Sequence, residues 1–129
     1  MTQSPDYLGA TGIGVADLEA SATFYKAALG MTELQRVSLA HMDEIVLGHE
    51  GRVALVLMHW TDGSARSYRN LPIKLVFYVT DPVAVAGRVA EAGGRIIFSP
   101  APVEAFGGAL IGLCKDLDGY VVELLHAQP

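Results

Sequence analysis

Val15-Ala16-Asp17-Leu18 and, 64 residues on, Val79-Thr80-Asp81-Pro82 read as two versions of one helix start. A short carboxylate such as Asp17 or Asp81 accepts hydrogen bonds from the open N–H groups of a first helical turn. Pro82 suits the first helical position, where its missing donor costs nothing. At the same offset Gly30 falls on Gly94, and each predicts a left-handed helix end. Between start and stop, Leu18, Ala22, Tyr25 and Leu29 form one apolar stripe, at spacings of three and four. Val85, Val89 and Ala92 form the other. Caps, stripes and glycines that agree at one offset mark an internal duplication.

Strand-like runs follow each predicted helix. In the first half they are 34–39, 44–47 and 52–60, broken at Gly48-His49-Glu50-Gly51. In the second they are 95–99, 109–114 and 120–125, broken at 100–108 and at Asp116-Leu117-Asp118-Gly119. Short opening strands at 11–15 and 73–79 precede the helices, and the polar stretch 61–71 links the halves. The expectation is an α+β fold of two βαβββ modules in tandem, within one domain covering 1–129. Module one spans about 8–61 and module two about 72–127.

Composition narrows the class. With 51% hydrophobic and 18% charged residues the chain should pack a core. A net charge of −5 with nine scattered basic residues argues against a nucleic-acid partner. One cysteine, Cys114, excludes an internal disulfide and fits a reducing compartment. The first eight residues have neither a basic start nor an apolar stretch of signal-peptide type. No apolar run approaches the roughly 18–20 residues of a membrane span. The expectation is a soluble, cytoplasmic protein with no membrane partner.

Val15-Ala16-Asp17-Leu18 with Ala22-Thr23-Phe24-Tyr25, the ending Ala28-Leu29-Gly30-Met31, and Lys115-Asp116-Leu117-Asp118-Gly119-Tyr120-Val121-Val122-Glu123-Leu124 together carry a family likeness. The last is the most specific: an Asp-x-Asp-Gly turn leading into a strand with an inward Glu, with Leu117 where Pro is usual. The chain resembles the vicinal oxygen chelate superfamily of glyoxalase I, bleomycin-resistance proteins and extradiol dioxygenases, over nearly its whole length. The resemblance implies a cupped eight-stranded mixed sheet and a homodimer, with Trp60 and the linker as a candidate contact. It also implies metal ligands at four cup-floor positions, which would fall on Ala10, Leu55, Lys74 and Glu123. Ala10 and Leu55 have no donor atom, and a charged Lys74 has no lone pair. One carboxylate does not make a divalent-ion site, so neither metal nor other cofactor is expected.

Lys74 and Glu123 should then lie close together where an ion would have been gripped. Lys74 could clamp an anionic or carbonyl oxygen and Glu123 could move a proton; a plain structural ion pair is the alternative. His59 follows Leu55 by alternation, as a general base or as a rim histidine with a backbone partner. Tyr78 shares the face of Lys74, to bind substrate or to pack. Trp60 and Phe106 could wall the pocket, or pack in core or interface. Phe106 sits in a long loop read as a lid. His41 near Asp43 and Glu44 is a weak metal cluster or a solvated turn; His49 reads as an exposed turn residue, and His126 points away from Glu123. Cys114 reads as a small buried hydrophobe. No phosphate-cradling glycine loop, serine nucleophile elbow or Cys-x-x-Cys is present.

Two functions follow. One is a glyoxalase-like enzyme of lyase or isomerase type on a small, carbonyl-bearing organic substrate, working without metal through Lys74, Glu123 and His59. The other is a protein that binds an apolar small molecule without chemistry. A cup floor of Ala10, Gly12, Leu55, Leu57 and Val76 supports the second.

Overall fold

The computed structural model describes residues 5–127. Residues 1–4, part of the stretch read above for a leader, and 128–129 lie outside the described residues. The chain runs β1 (Thr11–Gly14), α1 (Leu18–Leu29), β2 (Thr32–Ser38), β3 (Met42–His49) and β4 (Arg52–Trp60). It continues with β5 (Lys74–Val79), α2 (Pro82–Glu91), β6 (Arg95–Val103), β7 (Ala109–Lys115) and β8 (Val121–His126). The order βαβββ occurs twice, and the fold is α+β. The eight strands hydrogen-bond as two mixed four-stranded sheets, β1-β4-β3-β2 and β5-β8-β7-β6. In each, the opening strand runs parallel to the last strand of its module and the other pairs are antiparallel. β1 and β5 are therefore both sheet edges.

The helix starts are built as the sequence dictates. Asp17 accepts from the Ala20 N–H and Asp81 from the Ala84 N–H, both at 3.0 Å. Gly30 closes α1 in the left-handed region at φ 69°. In α2 the left-handed residue is Gly93, at φ 99°, and not Gly94. Gly94 is required for space instead. A Cβ there would stand 2.6 Å from Val89 Cγ1 and 2.8 Å from the Lys115 carbonyl oxygen.

Both helices bury their stripes in one core shared by the modules. Phe24, Tyr25 and Leu29 of α1 join Val85 and Val89 of α2 against Ile13, Leu47, Leu55, Leu57, Val122 and Leu124 of the sheets. Arg88 Nε, on α2, donates to the Ala28 carbonyl at 3.2 Å and ties the helices together.

The segment 100–108, expected as a loop and lid, is strand as far as Val103. β6 runs on through Pro100 and Pro102 to Val103, with irregular register between Phe98 and Ala101. The two prolines are tolerated because β6 is an edge, where a missing N–H need not break a ladder. Only a short turn of 3₁₀ helix at Glu104–Phe106 follows.

Candidate functional site

Each sheet turns one face to the helices and leaves the other open. On β5, Leu75, Phe77 and Val79 pack on the core, while Lys74, Val76 and Tyr78 stand exposed. β8 lies beside it with Val76 opposite Glu123. Val122 and Leu124 are buried in the core, so Glu123 alternates onto the open face. There Lys74 Nζ donates to Glu123 Oε1 at 3.2 Å, with the two side chains 55% and 10% exposed. One N–H of the ammonium is used in this bond; the other two can reach an incoming oxygen.

The repeat corrects the reading of β4. Gly12 pairs with Val56 as Val76 pairs with Glu123, so Val56, not Leu55, holds the place of Glu123 in module one. Leu55 is buried among the helices with Leu57. Alternation had linked 55, 57 and 59 correctly and assigned them to the wrong face. His59 turns with them. Its Nδ1 lies 2.8 Å from the Val15 carbonyl oxygen, and its ring stacks on Tyr68 with centroids 5.3 Å apart. The ring is thus held against β1 and Tyr68.

Two further aromatic residues lie away from the cavity described next. Trp60 is covered by the linker: the Arg66 guanidinium lies 4.4 Å from the ring centroid, and Tyr68 sits beside it. Phe106 lies on the 3₁₀ turn and is exposed; neither residue borders the cavity described next. His41 sits in an exposed turn. Cys114 is buried and burial pushes its thiol up from the ordinary range, as suits a packed side chain.

The four floor positions are thus Ala10, Val56, Lys74 and Glu123. They offer one carboxylate, already engaged by an ammonium, and do not fit a divalent ion. Among the described residues no group of three or more His, Cys, Asp or Glu is placed to hold a metal.

Along the seam between the modules opens a cavity of about 480 Å³. Leu29, Leu55 and Phe77 line its interior; His49, Lys74 and Tyr78 line its rim. From the sequence His49 reads as an exposed turn residue, and it is exposed. The structure sets its ring edge-on to Phe77, centroids 6.2 Å apart, because β3 extends through residue 49 and ends against β5. Strand patterning in β3 signals the strand, but only the docking of the modules brings its end to this seam.

The opposite end of the seam is sealed. Asp116 accepts from Tyr25 Oη at 2.6 Å and from the N–H groups of Asp118 and Tyr120. Asp118 accepts from the Ala16 N–H at 3.0 Å, and Tyr120 Oη donates to the Gly14 carbonyl. Burial raises both carboxyls above the usual range and lifts the Tyr120 hydroxyl to about 12.

Comparison with known proteins agrees with this architecture. The family model for the Glyoxalase/Bleomycin resistance protein/Dioxygenase superfamily matches residues 7–124. The structure is similar to glyoxalase I from Zea mays, with a TM-score of 0.78 and 26% identity over 98% of this chain and 48% of that one. The chain thus spans about half the length of that protein. It is also similar to a glyoxylase/bleomycin resistance protein/dioxygenase domain from Frankia sp. EAN1pec, at TM-score 0.76 and 22% identity over 97% and 94% of the two chains. For TnmS3, an antibiotic binding protein from Streptomyces sp. CB03234, the TM-score is 0.74 and the identity 19%, over 98% and 100%. No curated protein sequence matches. On the family match, the duplicated βαβββ order and the closing Asp116–Glu123 stretch, this chain belongs to the Glyoxalase/Bleomycin resistance protein/Dioxygenase superfamily.

Proposed function

We propose that this chain binds a small organic molecule bearing a carbonyl or anionic oxygen and acts on it as a metal-independent lyase or isomerase. The observation that carries the reading is the Lys74–Glu123 pair, open to solvent at its lysine, which alone of the two borders the 480 Å³ cavity. Lys74 holds the substrate oxygen, and negative charge gathering there is stabilised by the ammonium. Glu123, one bond away from it, takes or returns a proton at the neighbouring carbon. His59 has no part in this chemistry. Sequestration without reaction is the second reading, favoured by the exposed apolar groups Val76, Tyr78 and Phe98 in the same sheet. We further propose that the protein works as a cytoplasmic homodimer. No helix among the described residues is long and apolar enough to cross a membrane.

The test pairs stability with chemistry. A panel of small 2-oxo acids and aldehydes is incubated with the protein in D₂O, and exchange at the carbon next to the carbonyl is followed by NMR. Catalysed exchange that is lost in both Lys74→Met and Glu123→Gln is the expected result. Because the lysine is half exposed, Lys74→Met should cost no more than about 1 kcal/mol in melting experiments. If the pair is purely structural, Lys74→Met instead strands Glu123, at a cost of about 3–5 kcal/mol that Glu123→Gln relieves. That outcome, with no exchange by the native protein, refutes the enzymatic reading. Saturable binding without exchange selects sequestration.

A further inference from the structure

The two ends of the seam are related by the repeat, and at one of them the hairpin turn is hydrogen-bonded across to the other module. Opening strands correspond at an offset of 64 (Thr11 to Leu75), whereas closing strands correspond at 67 (Leu55 to Val122). The extra residues lie in the last hairpin: β3 and β4 are joined by Glu50-Gly51 alone, β7 and β8 by residues 116–120. The longer turn carries Asp118 and Tyr120 across to Ala16 and Gly14 of module one. The short turn sends no hydrogen bond to module two among the described residues. Where Asp116 stands at the sealed end, His49 stands at the open one. The cavity opens beside the shorter turn, with His49 in its lining.

Its lining says what fits. Depth follows exposure: Leu55 is almost fully buried, Phe77 is half-buried, and His49, Lys74 and Tyr78 are exposed. The interior is apolar and the rim carries N–H and O–H donors. Of the chain's fourteen acidic residues none lines the cavity, although the net charge is −5. β5 is also a sheet edge, so main-chain N–H groups face the seam without a strand partner. A volume near 480 Å³ lies within the range of small-molecule sites.

We infer that the seam cavity takes the flat apolar part of an aromatic carboxylate. The ring packs on Phe77 and Leu55, and the carboxylate sits at the rim between Lys74 and His49. This rests on the reading above that Lys74 receives the ligand's oxygen, and it names the substrate class of that site. His49 is a binding residue here, set by the short hairpin.

The test uses 2-naphthoate as the probe, with 2-naphthylmethylamine as the cationic control, in titrations of the whole protein followed by backbone amide NMR. Naphthoate should bind at least tenfold more tightly than the amine and shift the amides of Leu29, His49, Leu55 and Phe77. His49→Ala should weaken it several-fold. Replacing Glu50-Gly51 by the five residues of the other turn, Asp-Leu-Asp-Gly-Tyr, should abolish it, with circular dichroism and melting confirming the fold. Should that graft fail to fold, Ala54→Phe, which narrows the cavity from β4, supplies the blocked variant. Equal binding of the amine overturns the inference. So does naphthoate binding that is lost in Lys74→Met but indifferent to His49→Ala and to the blocked variant. That pattern puts the ligand on the open sheet face and leaves the role of Lys74 standing. Binding indifferent to Lys74→Met overturns both proposals.

Discussion

Asp116 shows how one side chain can hold a whole turn. Its two oxygens accept from the Tyr25 hydroxyl on another module and from two N–H groups of its own turn, and the residue is 6% exposed. Asp116→Ala leaves those donors buried without partners, and should cost about 2–4 kcal/mol by denaturant titration. The pH dependence has a definite sign. Burial raises this carboxyl above its ordinary 3.8, so the folded state favours the protonated form. The stability it contributes is therefore complete below 3.8 and is lost as pH rises through the higher folded value. The stability gap between wild type and Asp116→Asn should narrow from pH 3.5 to pH 7. A gap that widens over that interval contradicts the assignment.

At the level of elements, α2 and the turn after it allow a matched pair of substitutions. Gly87 lies inside α2 with nothing within 4 Å of an added Cβ. Gly87→Ala should stabilise by about 0.5–1 kcal/mol through the unfolded chain. Gly94→Ala drives its Cβ into the Lys115 backbone carbonyl and Val89, and should destabilise by about 1–3 kcal/mol. Thermal melts of the two variants should shift in opposite directions; a shared direction contradicts the packing at Gly94. The same elements show what was legible beforehand. Asp17, Asp81 and Gly30 act locally, and their roles follow from side-chain chemistry within one turn. The pairing of Lys74 with Glu123 came from family likeness and holds in space. The face of β4 was not legible, because Leu55, Val56, Leu57 and Met58 are apolar on both sides. Alternation tells which residues share a face but not which face meets the helices. His49, Trp60 and Phe106 depend on how modules and linker dock, which no local pattern encodes. Pro100 and Pro102 read as breakers because their strand's place at the sheet edge is a tertiary fact.

For the whole molecule, the open sheet faces matter most. Val76, Tyr78 and Phe98 are exposed on the second sheet, and the strand edges of β1, β2, β5 and β6 end the two sheets. Bare edges and apolar faces invite pairing, and a second copy is the proposed cover. Trp60, expected at that contact, is already capped by Arg66 and Tyr68, so the open faces are the better candidates. Sedimentation at micromolar concentration should give a dimer, and Val76→Asp should shift it toward monomer. A monomer throughout the range refutes this. The sealed end of the seam also bears on synthesis. Its bonds join residues 91 to 106 positions apart, between the start of the chain and its last hairpin. On the ribosome the first module emerges before the Tyr120 and Asp118 partners of its Gly14 carbonyl and Ala16 N–H, with its core open on one side. At about 5–20 residues per second, the wait for the closing turn lasts several seconds. During that interval the nascent first half is the part of this protein most exposed to chaperones and to wrong partners.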